Sequence, residues 1–189
     1  MTKLDKKLNI VLPLDSGWVH ATPISYDIFE KYFVSISKAF SRLFNEGLGT
    51  FAGPRVAYLM LKKVAEEDGN WETPNGDGVS QGLMNEIIRL SNVLLPGEQG
   101  WTSLPLYEAL RQGKLDPDEK AEVLNGLVFF TLASSMARKA DLRGVLSGIV
   151  KFWDGQITLS DSTAFLASLP TLTPVEPTGP KEPASPIPS

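Results

Sequence analysis

His20 is the only histidine in this 189-residue chain, and there is no cysteine. A metal site rich in nitrogen or sulfur needs partners that the chain does not contain. Disulfide and thiolate chemistry has no atom to use. A Ser-His-Asp system needs one histidine, but no G-x-S-x-G elbow accompanies this one. His20, beside Trp18, therefore reads as a packed or hydrogen-bonded residue. The stretch Gly47-Leu48-Gly49-Thr50-Phe51-Ala52-Gly53 has the glycines of a phosphate cradle. It follows a helical pattern, however, and ends in Pro54-Arg55 in place of the Lys-Ser or Lys-Thr such a loop requires. It reads as a helix-to-helix connection in which glycine permits a tight turn. Asp68-Gly69-Asn70-Trp71-Glu72 opens like a calcium loop, yet Thr73 and Val79 stand where glycine and an acidic residue are needed. Glu66, Glu67 and Asp68 are adjacent and do not share a helix face. Asp116, Asp118 and Glu119 are explained by helix capping. These residues assign no catalytic group, no metal ligand and no cofactor, and the expectation is a protein that is not an enzyme.

Residues suited to binding are easier to find. Trp18, Trp71, Trp101 and Trp153 each lie within two residues of a glycine. Tryptophan in a connection is either a lid over the core or an interface anchor. Trp71 and Trp101, both in expected loops, are the candidate partner-binding residues. The last twenty residues hold seven of the chain's fourteen prolines. Pro174, Pro177, Pro180, Pro183 and Pro186 recur at every third position. In a polyproline II rod, with three residues per turn, they would form one stripe. Such a stripe suits an aromatic groove, or the segment is a solvated tail.

The elements that must position these residues are mostly helical in pattern. Leu8, Ile10 and Leu12 alternate, and Asp15-Ser16-Gly17 is turn chemistry before Trp18-Val19-His20. A short N-terminal β-hairpin fits, with Pro13 suggesting an edge strand. From the Thr22-Pro23 start signal, Ile28, Phe29, Tyr32, Phe33, Ile36, Phe40, Leu43 and Phe44 follow at helical steps to Gly47. Phe40 and Phe44 could line a groove, although their spacing also suits core packing. Gly53-Pro54 starts a second helix, closed by Gly69. A polar loop spans Asn70 to Gly78. A helix from Ser80 runs through Leu90 and ends before Pro96. Gly97 to Thr102 is a loop, and Pro105 to Arg111 a short helix. Asp116-Pro117-Asp118-Glu119 opens a long helix to Met136 with a capping-box arrangement. Further helices are expected from Asp141 through Phe152 and from Ser160 to Ser168. The fold class expected is mainly α: a compact multi-helix domain over residues 1–169, the short hairpin, and a disordered Pro-rich tail over 170–189.

The composition is 42% hydrophobic and 21% charged, with a net charge of -4. Basic residues occur as isolated pairs such as Lys6-Lys7 and Lys62-Lys63, which is no nucleic-acid stripe. The longest apolar run, Gly126 to Ala137, is too short to span a bilayer, which needs about 20 residues. The N-terminal residues lack the apolar run of a signal peptide. Neither nucleic acid nor membrane is expected as a partner.

Four segments carry a resemblance. They are LPLDSGWVHATPIS (Leu12 to Ser25), FNEGLGTFAGPRVAYLMLKKVAE (Phe44 to Glu66), GLMNEIIRLSNVLLPGEQGWTSLPLYEAL (Gly82 to Leu110) and NGLVFFTLASSMARK (Asn125 to Lys139). Together they resemble tail assembly chaperones of long-tailed bacteriophages, across most of residues 1–169. The resemblance implies a non-enzymatic protein that coats the tape measure protein, keeps it soluble and helps recruit tail tube subunits. It implies action in the cytoplasm of an infected bacterial host and absence from the mature virion. No catalytic or binding residue carries over. Two other readings fit the residues: a structural tail or neck protein of the virion, and a helical adaptor that recruits a partner through its Pro-rich tail.

Overall fold

The computed structural model describes residues 8–98, 100–137, 144, 147 and 155–170. The expected helix from Asp141 through Phe152, apart from helical Gly144 and Ser147, lies outside the described residues. So do Trp153 and the five regularly spaced prolines.

The expected N-terminal hairpin is present. Strand β1 (Asn9–Pro13) pairs antiparallel with β2 (Trp18–Ala21). Leu14 and Gly17 exchange backbone hydrogen bonds across the turn. Glycine is required there, because a Cβ on Gly17 would sit 2.1 Å from the Leu94 carbonyl oxygen. The hairpin is not the whole sheet, and the mainly α expectation is wrong. Two further strands, β3 (Ser91–Gly97) and β4 (Gly100–Pro105), form a second hairpin, and β5 (Gln156–Thr158) closes the far side. The order β4-β3-β2-β1-β5 is antiparallel throughout, so the fold is mixed α and β.

The physical reason for the error is local. Val93, Leu94 and Leu95 are a continuous apolar run, which carries no period and extends a preceding helix as readily as it starts a strand. The helix before it stops at Arg89, and the run pairs with β2 through Val19↔Val93 and Trp18↔Leu94. The expected loop at Gly97–Thr102 is the tip and outgoing strand of that hairpin. Strand β1 is also no edge. It lies between β2 and β5, and β5 pairs only as far as Val11, so the missing N–H of Pro13 is not called upon.

Helices cover one face of the sheet. The expected helix from Thr22 to Gly47 is two helices, α1 (Tyr26–Lys31) and α2 (Phe33–Asn45). The N-cap is Ser25, whose Oγ accepts from the Ile28 N–H, and the start signal at Thr22-Pro23 goes unused. The break falls at Tyr32, whose buried hydroxyl donates to the Asp77 carbonyl at 2.9 Å. That hydroxyl rests on Gly82, within a π-helical turn (Val79–Met84) that leads into α4 (Asn85–Arg89). Helix α3 (Gly49–Glu67) begins four residues before Gly53-Pro54, so Pro54 lies inside it. Gly53 lets α3 close on the ring of Phe129.

Helix α5 (Leu106–Arg111) matches its expected span, and α6 (Pro117–Met136) carries the capping box read from Asp116 and Glu119. Glu119 does more than cap. It also accepts the Ser16 N–H at 2.9 Å and so ties the first hairpin's turn to α6. From Asn125 through Ala133 every α6 residue is buried. The core lies between the helices and the sheet face that carries Ile10, Leu12, Val19, Ala21 and Val93. The opposite face carries Val11, Leu94 and Trp18 under one short helix, α7 (Ser162–Ser168), which contributes Phe165 and Leu166.

Candidate functional site

Helix α2 turns Ile36, Ala39 and Leu43 into the core. At 100° per residue, Phe33, Ser37, Phe40 and Phe44 then fall along one line roughly a quarter turn from the buried stripe. Their rings border the core on one side and water on the other. Helix α1 extends the line past the break at Tyr32. Tyr26 and Phe29 have ring centroids 6.0 Å apart, Phe29 and Phe33 are 5.7 Å apart and nearly perpendicular, and Phe40 and Phe44 are 4.6 Å apart. Tyr26 is 72% exposed, Phe33 48% and Phe44 41%, while Phe29 and Phe40 are half-buried against the core. Ser37 fills the gap and turns its hydroxyl to the Val34 carbonyl. The result is an aromatic flank in two groups, Tyr26–Phe29–Phe33 and Phe40–Phe44, with Ser37 between them.

The other flank of α2 is charged and already occupied. Lys38 donates to both carboxylate oxygens of Asp68 at 2.8 Å, and Arg42 pairs with Glu67 at 2.6 Å. The hydrogen bond from the Arg42 guanidinium holds the Glu67 carboxyl below the usual carboxylate range, and the same bond raises Arg42. These pairs fasten α2 to the C-terminal end of α3. A hollow of about 310 Å³ on this flank is walled by the same groups, whose charges are satisfied by each other.

A groove of about 720 Å³ lies between α3 and α6, bounded by Phe51, Ala52, Pro54, Arg55, Ala121, Glu122 and Asn125. Its most buried polar group is committed. Asn125 accepts the Tyr58 N–H and donates to the Ala121 carbonyl. Among the described residues that line it, Ala52, Pro54 and Ala121 are aliphatic, Arg55 and Glu122 are charged, and none is a nucleophile paired with a base.

The sequence-derived candidates are not brought together. Trp71 is half-buried, edge-on to Tyr58 at 5.9 Å, with the Lys62 ammonium over its ring. It acts as a lid on the helical layer. Trp101 lies in β4, on the opposite side of the sheet, and its indole Nε1–H donates to the Pro170 carbonyl at 2.9 Å. His20 is buried on the sheet's second face, where its Nε2 donates to the Ser160 carbonyl at 2.9 Å beside the ring of Phe165. Asn9 donates to the same carbonyl. His20 thus ties β2 to the connection before α7, as a packed residue. Asp68, the first position of the calcium-like loop, is held by Lys38. Among the described residues no group of three or more His, Cys, Asp or Glu could hold a metal ion. No described helix is long and apolar enough to cross a membrane.

The aromatic flank was partly legible in the sequence. The 3- and 4-residue steps included Phe29, Phe33, Phe40 and Phe44 but not Tyr26, and a single helix of that pattern assigns them to the core. What places Phe33 and Phe44 at the surface is the concentration of the buried stripe on Ile36, Ala39 and Leu43, which only the packing of α2 against α3 decides.

No protein-family model, curated protein or solved structure matches the chain.

Proposed function

We propose that this protein is a tail assembly chaperone of a long-tailed bacteriophage that holds the tape measure protein, with the flank of α1 and α2 as its docking surface. The observation that carries this reading is the aromatic line from Tyr26 to Phe44, open to solvent along two successive helices. An exposed apolar strip on a helix accepts an amphipathic helix whose anchors recur every three or four residues. The four segments that resemble tail chaperones supply the identity of that helix. The mixed α and β fold replaces the mainly α domain with a short hairpin that the residue pattern suggested, and its helical layer presents this flank to solvent.

The magnitudes favour holding over permanent capture. Three aromatic side chains exposed by 41% to 72% offer on the order of 300–400 Å² of ring surface. At about 25 cal/mol per Å² the gross gain on covering it is roughly 8–10 kcal/mol. Association itself costs roughly 4–15 kcal/mol before any surplus appears. One chain therefore binds weakly and reversibly, and a long helix offers sites for several copies. A coat of this kind can be displaced as tail tube subunits arrive. The protein then acts in the cytoplasm of the infected host and leaves no stoichiometric trace in the virion.

The test is co-expression with the tape measure protein of the same phage, followed by mass spectrometry of purified particles. The proposal expects the tape measure protein to move from the pellet to the soluble fraction and the chaperone to be missing from virions. Stoichiometric presence in virions would instead identify a structural tail or neck protein.

A further inference from the structure

The groove between α3 and α6 carries one charge of each sign, Arg55 on the α3 wall and Glu122 on the α6 wall. Both residues are exposed. Among the described arginines, Arg42, Arg89 and Arg111 each hold a carboxylate, and Arg55 holds none. Glu122 likewise has no ion pair or side-chain hydrogen bond with a described residue.

The surroundings of the two charges are those of an interface centre. Ala52, Pro54 and Ala121, between the walls, are small. Phe51, Arg55 and Leu59 recur at four-residue steps and so follow one another along one side of α3. Phe51 and Leu59 are 80% and 57% exposed, so the guanidinium lies between two exposed apolar side chains. Arginine and aromatic residues are the types enriched where partners bury surface.

Opposite charges on opposite walls make the groove complementary to itself. A two-fold axis pointing out of its mouth sets the α3 wall of one copy over the α6 wall of the other. Arg55 then meets Glu122 of the second copy, and symmetry forms the same contact a second time. An unrelated partner would have to bring both signs in the right order, whereas a second copy brings them by construction.

We propose that the chain forms a two-fold symmetric dimer through the α3–α6 groove, held by reciprocal Arg55–Glu122 pairs. This surface shares no residue with the flank of α1 and α2, and the inference does not rest on the chaperone reading.

Sedimentation velocity of the full chain over a concentration series tests it. The unaltered chain should pass from monomer to dimer as concentration rises. Arg55→Glu sets two carboxylates against each other at both contacts, and Glu122→Arg sets two guanidinium groups there. Each variant alone should dimerise about tenfold more weakly or worse. Mixed in equal amounts, the two variants have opposite signs at both contacts again, and the mixture should dimerise nearly as well as the unaltered chain. A merely structural role for either residue would give no such recovery. Circular dichroism checks that both variants are folded; if either is not, Arg55→Gln and Glu122→Gln take their place, and each should weaken the dimer about threefold or more. A chain that is monomeric at every concentration, a dimer that the single substitutions leave unchanged, or a mixture of folded variants that stays monomeric overturns the proposal. A monomer that binds the tape measure protein only with Arg55 and Glu122 intact overturns it too, by assigning the groove to that helix.

Discussion

Replacing Gly82 by alanine tests the packing that splits α1 from α2. A Cβ at this position would lie 1.6 Å from the Tyr32 hydroxyl oxygen and 2.7 Å from Cζ. Ordinary contact begins near 3.4 Å, so the hydroxyl must withdraw by about 1.8 Å. A displacement of that size breaks its 2.9 Å hydrogen bond to the Asp77 carbonyl. The lost hydrogen bond is worth about 1 kcal/mol. Overpacking a buried ring adds roughly 1–3 kcal/mol. Alanine returns up to about 1 kcal/mol of helical preference over glycine. The net expectation is a destabilisation of about 1–3 kcal/mol in urea unfolding. Tyr32→Phe alone should cost about 1 kcal/mol, the hydrogen bond only. In the Tyr32→Phe background the alanine meets only ring carbon, so its cost should fall by about 1 kcal/mol, well outside the few tenths within which independent sites add. A stabilising Gly82→Ala, or two costs that simply add, would refute this account of the break at Tyr32.

Two further outcomes follow from the same contacts. Gly17→Ala drives a methyl group against the backbone carbonyl of Leu94, which cannot withdraw without disturbing the pairing of β2 with β3; the melting temperature should fall by more than for Gly76→Ala, whose Cβ meets open space and whose cost is confined to its left-handed backbone. The Glu67 carboxyl is held below its ordinary value by Arg42, so its contribution is present above the unfolded-state value and lost as pH falls through the folded-state value. Glu67→Gln should therefore remove part of the loss of stability below about pH 4 and leave the neutral-to-alkaline range flat; an unchanged acid limb would show that the pair is spectator to folding.

Much of the helical layer was readable from residue types. The capping box at Asp116 and Glu119 is a local signal, completed by atoms three residues apart, and it stands in the structure as read. The Asp15-Ser16-Gly17 turn is equally local. Strands β3 and β5 were not legible, for different reasons. Val93-Leu94-Leu95 is buried on both faces and so lacks alternation, while Gln156–Thr158 is three residues long and owes its strand to β1 alone. The break at Tyr32 depends on Asp77 and Gly82, which are 45 and 50 positions away and invisible to any periodicity. The candidate binding residues divide in the same way. The sequence could say that Trp71 and Trp101 lie near glycines, but only the fold shows that one covers Tyr58 and the other holds Pro170. Phe33 and Phe44 were visible as members of a helical pattern, and their exposure follows from how α2 is seated on α3.

The most direct test of the chaperone proposal alters the flank without touching the core. Phe33→Ser and Phe44→Ser change rings that are 48% and 41% exposed, so the double variant should keep its circular dichroism spectrum and most of its thermal stability. Co-expressed with the tape measure protein, it should leave that protein in the insoluble fraction, whereas the unaltered chain brings it into solution. Solubilisation that survives in the folded double variant would contradict the assignment of the site, and failure of the unaltered chain to solubilise its own phage's tape measure protein would contradict the function.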